Sequence, residues 1–366
     1  MIDDQALAKR SQSDLLSQLV SAGDRQASVL LLGQRKSGKT TLLRIVSDEL
    51  EAKGSFCRTL DLGRVHTPPE LFSLQVAGLA ACWSLSLTSR VLDAAFLKQH
   101  KDKLSPKQQA NIDVILTELQ KIKPDQRRCI QAAFAMLEEL GKEKRLVLFL
   151  DNVERLLELD NFSAVGDVFA LLPRNITIIA SSAVPILKDR LHGFTAFTIT
   201  PLTKEHASSL VVELAGKQPQ QVLDEIHALC KGDAYATSVV SKRLATTKSV
   251  RAAFLTELVW TEGLLYRRCA DLYNAAMSRA RGQALLDSAM VLLGQKDMKL
   301  SELARQLYRS APVTKSVLER LMQVSLVVKD EKSFSVADPL LKEWLRTRPF
   351  WTDDEPGEAQ LKEVRP

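Results

Sequence analysis

Nowhere in its 366 residues does this sequence carry an uninterrupted apolar run of membrane-spanning length; a spanning helix needs about 20 such residues. Its most apolar stretch, Leu71 to Leu87, is broken by Ser73, Gln75, Ser84 and Ser86. The opening residues, Met1-Ile2-Asp3-Asp4, show no basic region followed by an apolar core, so no secretory leader is expected and the protein reads as cytoplasmic. Cysteine is sparse and badly spaced for chemistry. Cys57, Cys82, Cys129, Cys230 and Cys269 are odd in number, no two stand at CxxC spacing, and no histidine pair falls at ligand spacing. This argues against a disulfide framework and against zinc, and leaves buried core thiols as the expectation. Internal repeats and low-complexity tracts are missing as well.

Fifty basic residues against 44 acidic ones give a net charge of +6, with a pI near 9.0. Such a balance suits a polyanionic partner only weakly, because the excess is spread along the chain and no block reads as a nucleic-acid tail. The 45% apolar and 26% charged content is that of an ordinary globular protein. The length predicts two or three domains.

Residues 5–22 alternate as an amphipathic helix. The run Ser28-Val29-Leu30-Leu31-Leu32 that follows is too short for a helix and stops at Gly33, as a buried parallel strand does. Similar runs recur at Cys57 to Leu62, Leu146 to Leu150, Ile176 to Ala180 and Ala196 to Ile199, with helical patterns between them. The expected fold class is therefore α/β, a doubly wound parallel sheet. The span from about 70 to 143 is long for one crossover and predicts three helices, with Pro106 and Pro124 marking helix starts. After Pro201 the strand-like runs stop and short helices take over.

Gly33-Gln34-Arg35-Lys36-Ser37-Gly38-Lys39-Thr40 fits the phosphate-binding pattern GxxxxGK[ST], with a strand before it and a helix opening at Thr41 after it. The two glycines permit the turn that aims successive N–H groups at phosphate, and the helix N-terminus adds its positive end. Lys39 neutralises phosphate charge and the Thr40 hydroxyl ligates magnesium. ATP and Mg2+ are the expected ligands. The strand Leu146 to Leu150 ends in Asp151, whose carboxylate is expected on the metal side. Many vigorous ATPases of this class place Glu directly after that Asp; here the position is Asn152. An amide can orient water but cannot take its proton, so turnover is expected to be slow and Glu154 is the candidate base. The alternative for Glu154 is a carboxylate placed by the helix dipole. The strand from Asn175 to Ala180 ends in Ser181-Ser182, and Ser181 or Ser182 is a candidate sensor of the γ-phosphate; a strand-ending turn is the plainer reading.

With these residues in view, the sequence resembles the AAA+ and STAND P-loop ATPases, in their archaeal-ATPase-like group, and is similar in architecture to Orc1/Cdc6-type initiators. Arg190 to Phe194 leading to Ile199-Thr200-Pro201-Leu202-Thr203, and Lys231-Gly232-Asp233-Ala234-Tyr235, add to the likeness, although Ala234 stands where the group usually has proline. The resemblance, over about 25 to 348, implies a sheet of order 5-1-4-3-2 in a core within 1–200, a helical lid over 201–254 and a winged-helix domain over 255–348; residues 349–366, with Pro, Gly, acidic residues and little periodicity, read as a frayed tail. It also implies a homo-oligomer in which a neighbour's arginine completes the nucleotide site. Phe194 occupies the family's usual arginine position, so Arg190 is the candidate, with Arg174 second.

Read without the family, the C-terminal stretch still suggests a helix at Leu300 to Leu307, a turn at Arg309 to Pro312, a second helix from Thr314 to Met322, and a hairpin at Leu326 to Val336. In DNA binders of this type the second helix enters the major groove. Thr314, Lys315, Ser316 and Arg320 would face the groove, with Lys329 and Lys332 on the wing. The expected function is an ATP-driven switch that oligomerises on double-stranded DNA, as initiator, transposition or defence regulators do. The alternative is a STAND-type signalling ATPase with protein partners only, and a small-molecule kinase is a distant third.

Overall fold

The structure, a computed structural model, describes residues 12–33, 37–63, 72–87, 92–142, 145–158, 169–171, 175–184, 187–247, 249–280 and 283–364. The chain divides near Ile199–Thr200 into two compact units.

The first unit is built on five parallel strands: β1 (Val29–Leu32), β2 (Phe56–Asp61), β3 (Leu146–Asp151), β4 (Ile176–Ser182) and β5 (Thr195–Thr198). Their spatial order is β2-β3-β4-β1-β5, the order expected, read from the other edge. All residues of β1, β3 and β4 are buried, whereas β2 and β5 at the edges alternate or stay half-exposed. That is why the three central strands read as continuous apolar runs.

Side chains alternate between two layers. Val29, Leu31, Val147 and Phe149 pack with Leu42, Leu43, Val46 and Leu50 of the helix Lys39–Ala52, and with Leu16 and Leu19 of the helix Ser13–Asp24. Leu30, Leu148 and Ile178 face the other way, onto the helices Phe72–Leu85 and Gln126–Gly141. The 72–141 stretch holds four α-helices, Ala94–His100 and Pro106–Glu118 being the other two. Pro106 sits in the first turn of its helix behind a Ser105 capping box. Asp125, just after Pro124, caps the next helix by accepting from the Arg128 N–H.

The second unit runs from Thr200 and has one core. Buried residues from Val211 through Leu258, Leu293 and Leu321 to Val364 form a single cluster, so the stretches expected as lid and C-terminal domain share one interior. Its last part contains the helices Gln283–Gln295, Leu300–Gln306 and Ala311–Gln323, and an antiparallel sheet in which β8 (Ser333–Val336) lies between β6 (Met298–Lys299) and β7 (Val327–Asp330). The helix from Ala311 begins three residues before the expected Thr314, with Pro312 in its first turn. The segment after 348, expected to fray, is packed. Trp351 stacks on Trp344 at 4.2 Å between ring centroids, Thr352 bridges Trp260, and Leu361 and Val364 are buried. No helix among the described residues is long and apolar enough to cross a membrane.

A buried charge cluster holds this unit together. Arg268, 2% exposed, donates from Nη1 and Nη2 to the Asp233 carboxylate at 2.7 and 2.6 Å. A second carboxylate, that of Asp338, lies 3.9 Å away. Asp233 caps the helix Ala234–Leu244 and Asp338 caps the helix Pro339–Arg346, so one guanidinium serves two helix starts 105 residues apart in sequence, at positions 233 and 338. Burial pushes the Asp338 carboxyl above its ordinary range, and the Arg268 charge pulls it back down. Arg268→Ala would leave the half-buried Asp233 and the buried Asp338 without their cation, at a cost of about 3–5 kcal/mol. Without Arg268 the folded-state pKa of Asp338 rises further above its unfolded value, which favours folding only when the group is protonated. Urea denaturation of the variant should show the deficit shrinking as the pH is lowered from neutrality towards 5.

Candidate functional site

The polar side chains of the first unit gather at the carboxyl ends of β1, β3 and β4, where ligands bind in sheets of this kind. β1 ends at Leu32, and Gly33 follows with its N–H donating to the Ser182 carbonyl at 3.1 Å. Gly38 has φ 94°, a left-handed conformation that suits glycine, and ends the loop where the helix Lys39–Ala52 begins. Ser37 and Gly38 close the phosphate-binding loop, while Gln34, Arg35 and Lys36 lie outside the described residues.

Three observations test whether this loop suits a phosphate. Among the described residues no side chain caps the helix starting at Lys39, and a helix start of this kind offers its positive end to an anion. The Ser37 hydroxyl is buried without a hydrogen-bond partner among the described residues. Lys39, 6% exposed, folds its Nζ back onto the Gly33 carbonyl at 2.8 Å, which holds the ammonium over the loop. The residues fit an anion.

Beside the loop stands Asp151, 3% exposed at the end of β3. The Thr40 hydroxyl donates to its Oδ2 at 2.6 Å. Its Oδ1 accepts the Ser181 hydroxyl, at the end of β4, and the Asn152 N–H at 3.1 Å. Three elements are therefore tied to one carboxylate, and Thr41 follows in the helix that carries Thr40. Thr40 and Asp151, both expected as metal-side groups, and Ser181, expected as a sensor, are brought into one network.

Glu154 sits in the 3-10 turn Val153–Glu158 and is 3% exposed. Its Oε2 accepts the Ser182 hydroxyl at 2.8 Å, and Ser182 Oγ in turn accepts the Val184 N–H at 2.9 Å. The carboxylate thus points at β4 and holds the second serine. Arg190 is exposed at the end of the short helix Leu187–Arg190, ahead of β5; Arg174 lies outside the described residues. Phe194 packs edge-on against Phe169 with centroids 5.3 Å apart.

Sequence reasoning missed Asp61. It ends β2 in register with Asp151, and its Oδ1 accepts the Asn152 Nδ2 at 2.9 Å and the Gly63 N–H at 2.8 Å. The signal was a second short strand ending in Asp. Asn152 itself has φ 59°, a backbone conformation in which asparagine is enriched.

In the second unit the residues expected to read DNA separate into two groups. Lys315, Ser316, Lys329 and Lys332 are exposed. Thr314 is fully buried and donates to the Ser310 carbonyl at 3.1 Å. Arg320 is half-buried and spends Nε and Nη2 on the Ala280 carbonyl. Both are corrected out of the contact set, because Thr314 lies on the stripe with Val317, Leu318 and Leu321 that faces the core. Around the preceding turn, Tyr308 stands 88% exposed at φ 53°, with Val313 also exposed.

No protein-family profile and no curated protein matches this sequence. Among solved structures, the chain is similar to the Walker-type ATPase of Pyrococcus abyssi, with 18% identity over 90% of this chain and 94% of that one and a TM-score of 0.61. It is more loosely similar to the Orc1 protein of Aeropyrum pernix in complex with DNA, with 15% identity, 93% and 92% coverage and a TM-score of 0.43. A STAND protein with a tetratricopeptide repeat sensor from Pyrococcus horikoshii gives 13% identity, 90% and 42% coverage and 0.35. The first likeness shows the fold, that of a Walker-type P-loop ATPase, in agreement with the strand order.

The Glu154–Ser182 contact yields a test of its own. Glu154→Ala leaves a buried hydroxyl without its acceptor, which costs about 1–3 kcal/mol. Glu154→Gln keeps an acceptor oxygen and should lose less than about half of that. A Glu154→Ala urea midpoint equal to the parent's would show that the contact carries no stability.

Proposed function

We propose that this protein is a molecular switch that binds ATP with Mg2+ and hydrolyses it slowly. The observation that carries the reading is the Asp151 carboxylate held between Thr40 and Ser181, beside a phosphate loop whose helix start is uncapped. Gly33, Ser37, Gly38, Lys39, Thr40 and Thr41, with Gln34, Arg35 and Lys36 of the same motif, cradle the phosphates. Thr40 and Asp151 hold the metal, which when bound neutralises charge on the β- and γ-phosphates. Ser181 reports on the γ-phosphate through the same carboxylate. Glu154 serves as base once it leaves Ser182, and Asn152, which cannot take a proton, orients the water and keeps turnover slow.

Arg190, exposed ahead of β5, completes the site of a neighbouring copy in an ATP-dependent homo-oligomer and stabilises charge on the transferring phosphate. One set of assays tests these roles. Lys39→Ala should weaken binding of a fluorescent ATP analogue on the order of a hundred-fold, since a charged phosphate contact is lost. Glu154→Gln should bind ATP yet turn it over far more slowly. Arg190→Ala should bind ATP but fail to assemble or hydrolyse, and mixing it with Lys39→Ala should partly restore turnover. Tight binding by Lys39→Ala would sink the nucleotide reading; unaltered assembly of Arg190→Ala without rescue would remove that residue.

The partner is double-stranded DNA, reached by a C-terminal winged helix through Lys315, Ser316, Lys329 and Lys332. A second reading, a STAND-type switch with protein partners, draws on the exposed Tyr308, Val313 and Val328 beside those lysines, since apolar groups mark protein contacts more than phosphate contacts. Gel shifts across a salt series separate the two. Lys315→Glu with Lys329→Glu should lower the salt slope by about one unit per lost phosphate contact. A parent chain with no duplex affinity even at low salt favours the protein partner.

A further inference from the structure

Asp61 takes no part in the phosphate loop or the metal side, yet it is bound to the residue that follows Asp151. Its carboxylate can only accept hydrogen bonds. The Asn152 amide group that faces it at 2.9 Å must therefore be the nitrogen, and the amide oxygen is left to point elsewhere. A neutral or donating side chain at position 61 would permit either orientation of the amide; the acid permits one.

The surroundings are built around this contact. The Gly63 N–H donates to the same Asp61 oxygen at 2.8 Å. A β-carbon at position 63 would stand 2.6 Å from Asn152 Nδ2 and 3.1 Å from Asp61 Oδ1, so glycine there is what lets the amide approach. Asn152 also donates its backbone N–H to Asp151 Oδ1, and the strands pair Asp61 with Asp151. A continuous chain of bonds thus runs from Asp61 through Asn152 to Asp151, Thr40 and Ser181.

We propose that Asp61 is a positioning residue for the hydrolytic water: it fixes the Asn152 amide so that the amide oxygen is the group presented to that water. A water donating one hydrogen to this oxygen has its lone pairs directed away from the amide, while the proton that must be lost goes to another group. The inference rests on the ATPase reading above and deepens it. A misplacement of about 1 Å at such a group is worth on the order of a hundred-fold in rate.

Three variants of the full chain test it. Asp61→Leu removes the acceptor, and Gly63→Ala displaces the flexible Asn152 amide without touching either partner chemically. Each should lower kcat on the order of ten- to a hundred-fold with KM for ATP nearly unchanged. Asp61→Asn can donate as well as accept and so permits either orientation of the amide, and it should recover only part of that loss. A direct readout uses asparagine-selective 15N labelling: the Asn152 side-chain amide, identified by its disappearance in Asn152→Asp, should lose protection from exchange in Asp61→Leu and Gly63→Ala and be only partly protected in Asp61→Asn. Circular-dichroism melting confirms that each variant folds. Parental kcat in Asp61→Leu overturns the proposal, and so does parental kcat in Asp61→Asn, since a partner that leaves the amide free to turn would then serve as well as one that fixes it. An Asn152 amide that does not respond overturns it whether or not ATP is turned over. A parent chain that fails to bind the ATP analogue, with the amide responding as expected, sinks the ATPase reading itself and with it any water for Asn152 to orient.

Discussion

The carboxylate of Asp151 is the point on which the first unit turns. It is nearly inaccessible to solvent, it ends a strand whose every residue is buried, and it is bonded to a hydroxyl from the helix after β1 and to another from β4. A buried carboxylate is costly unless its oxygens are satisfied. Here both oxygens have partners from within the protein, and the three elements that supply those partners are held at fixed distances. Any ligand that draws Thr40 or Ser181 away must replace that bond. This makes the network sensitive to what occupies the loop, which is the property a switch needs.

Most of the first unit could be read in the sequence, and for a physical reason. Strands buried on both faces are short apolar runs, and those at 29–32, 146–151 and 176–182 stop where a polar residue meets the ligand edge. Motif glycines and Asp151 announce themselves at those stops. Asp61 did not, because β2 is an edge strand whose alternating pattern of burial is less distinct and because its role depends on a contact to Asn152 across strands. The left-handed backbone of Asn152 was equally invisible, since single residues in that conformation leave no periodic trace.

In the second unit the order of elements was legible while their phase was not. Thr314 stands one turn before Val317 and Leu318 on the buried stripe whichever residue opens the helix, and the half-buried Arg320 is turned to the Ala280 carbonyl. That stripe was present in the sequence, but a threonine at its head looks polar unless its hydroxyl is known to bond back to Ser310. The two-residue strand Met298–Lys299 is too short to leave any pattern, and the tail is held by tryptophan stacking and a backbone bridge that only the folded chain brings together. The unity of the core from Val211 to Val364 follows from the same long-range contacts.

The cluster of Arg268, Asp233 and Asp338 has a consequence for how this protein can change over evolutionary time. Losing Arg268 strands the carboxylates and losing Asp233 takes away the bidentate partner of the guanidinium, whereas losing Asp338 leaves the Arg268–Asp233 pair intact; replacing all three by well-packed apolar side chains can be neutral or favourable. Intermediate sequences are therefore disfavoured on every single-step path between the two solutions. Divergent homologues should fall into two groups, those keeping the Arg268–Asp233 pair, with or without Asp338, and those lacking both members, and few should hold only one of the two. Because two of the three residues also cap helices, a lineage that abandons the triad must find other caps at 233 and 338 at the same time. The triad is in this sense a lock on sequence drift, and its presence or absence is a marker by which branches of such a group could be told apart.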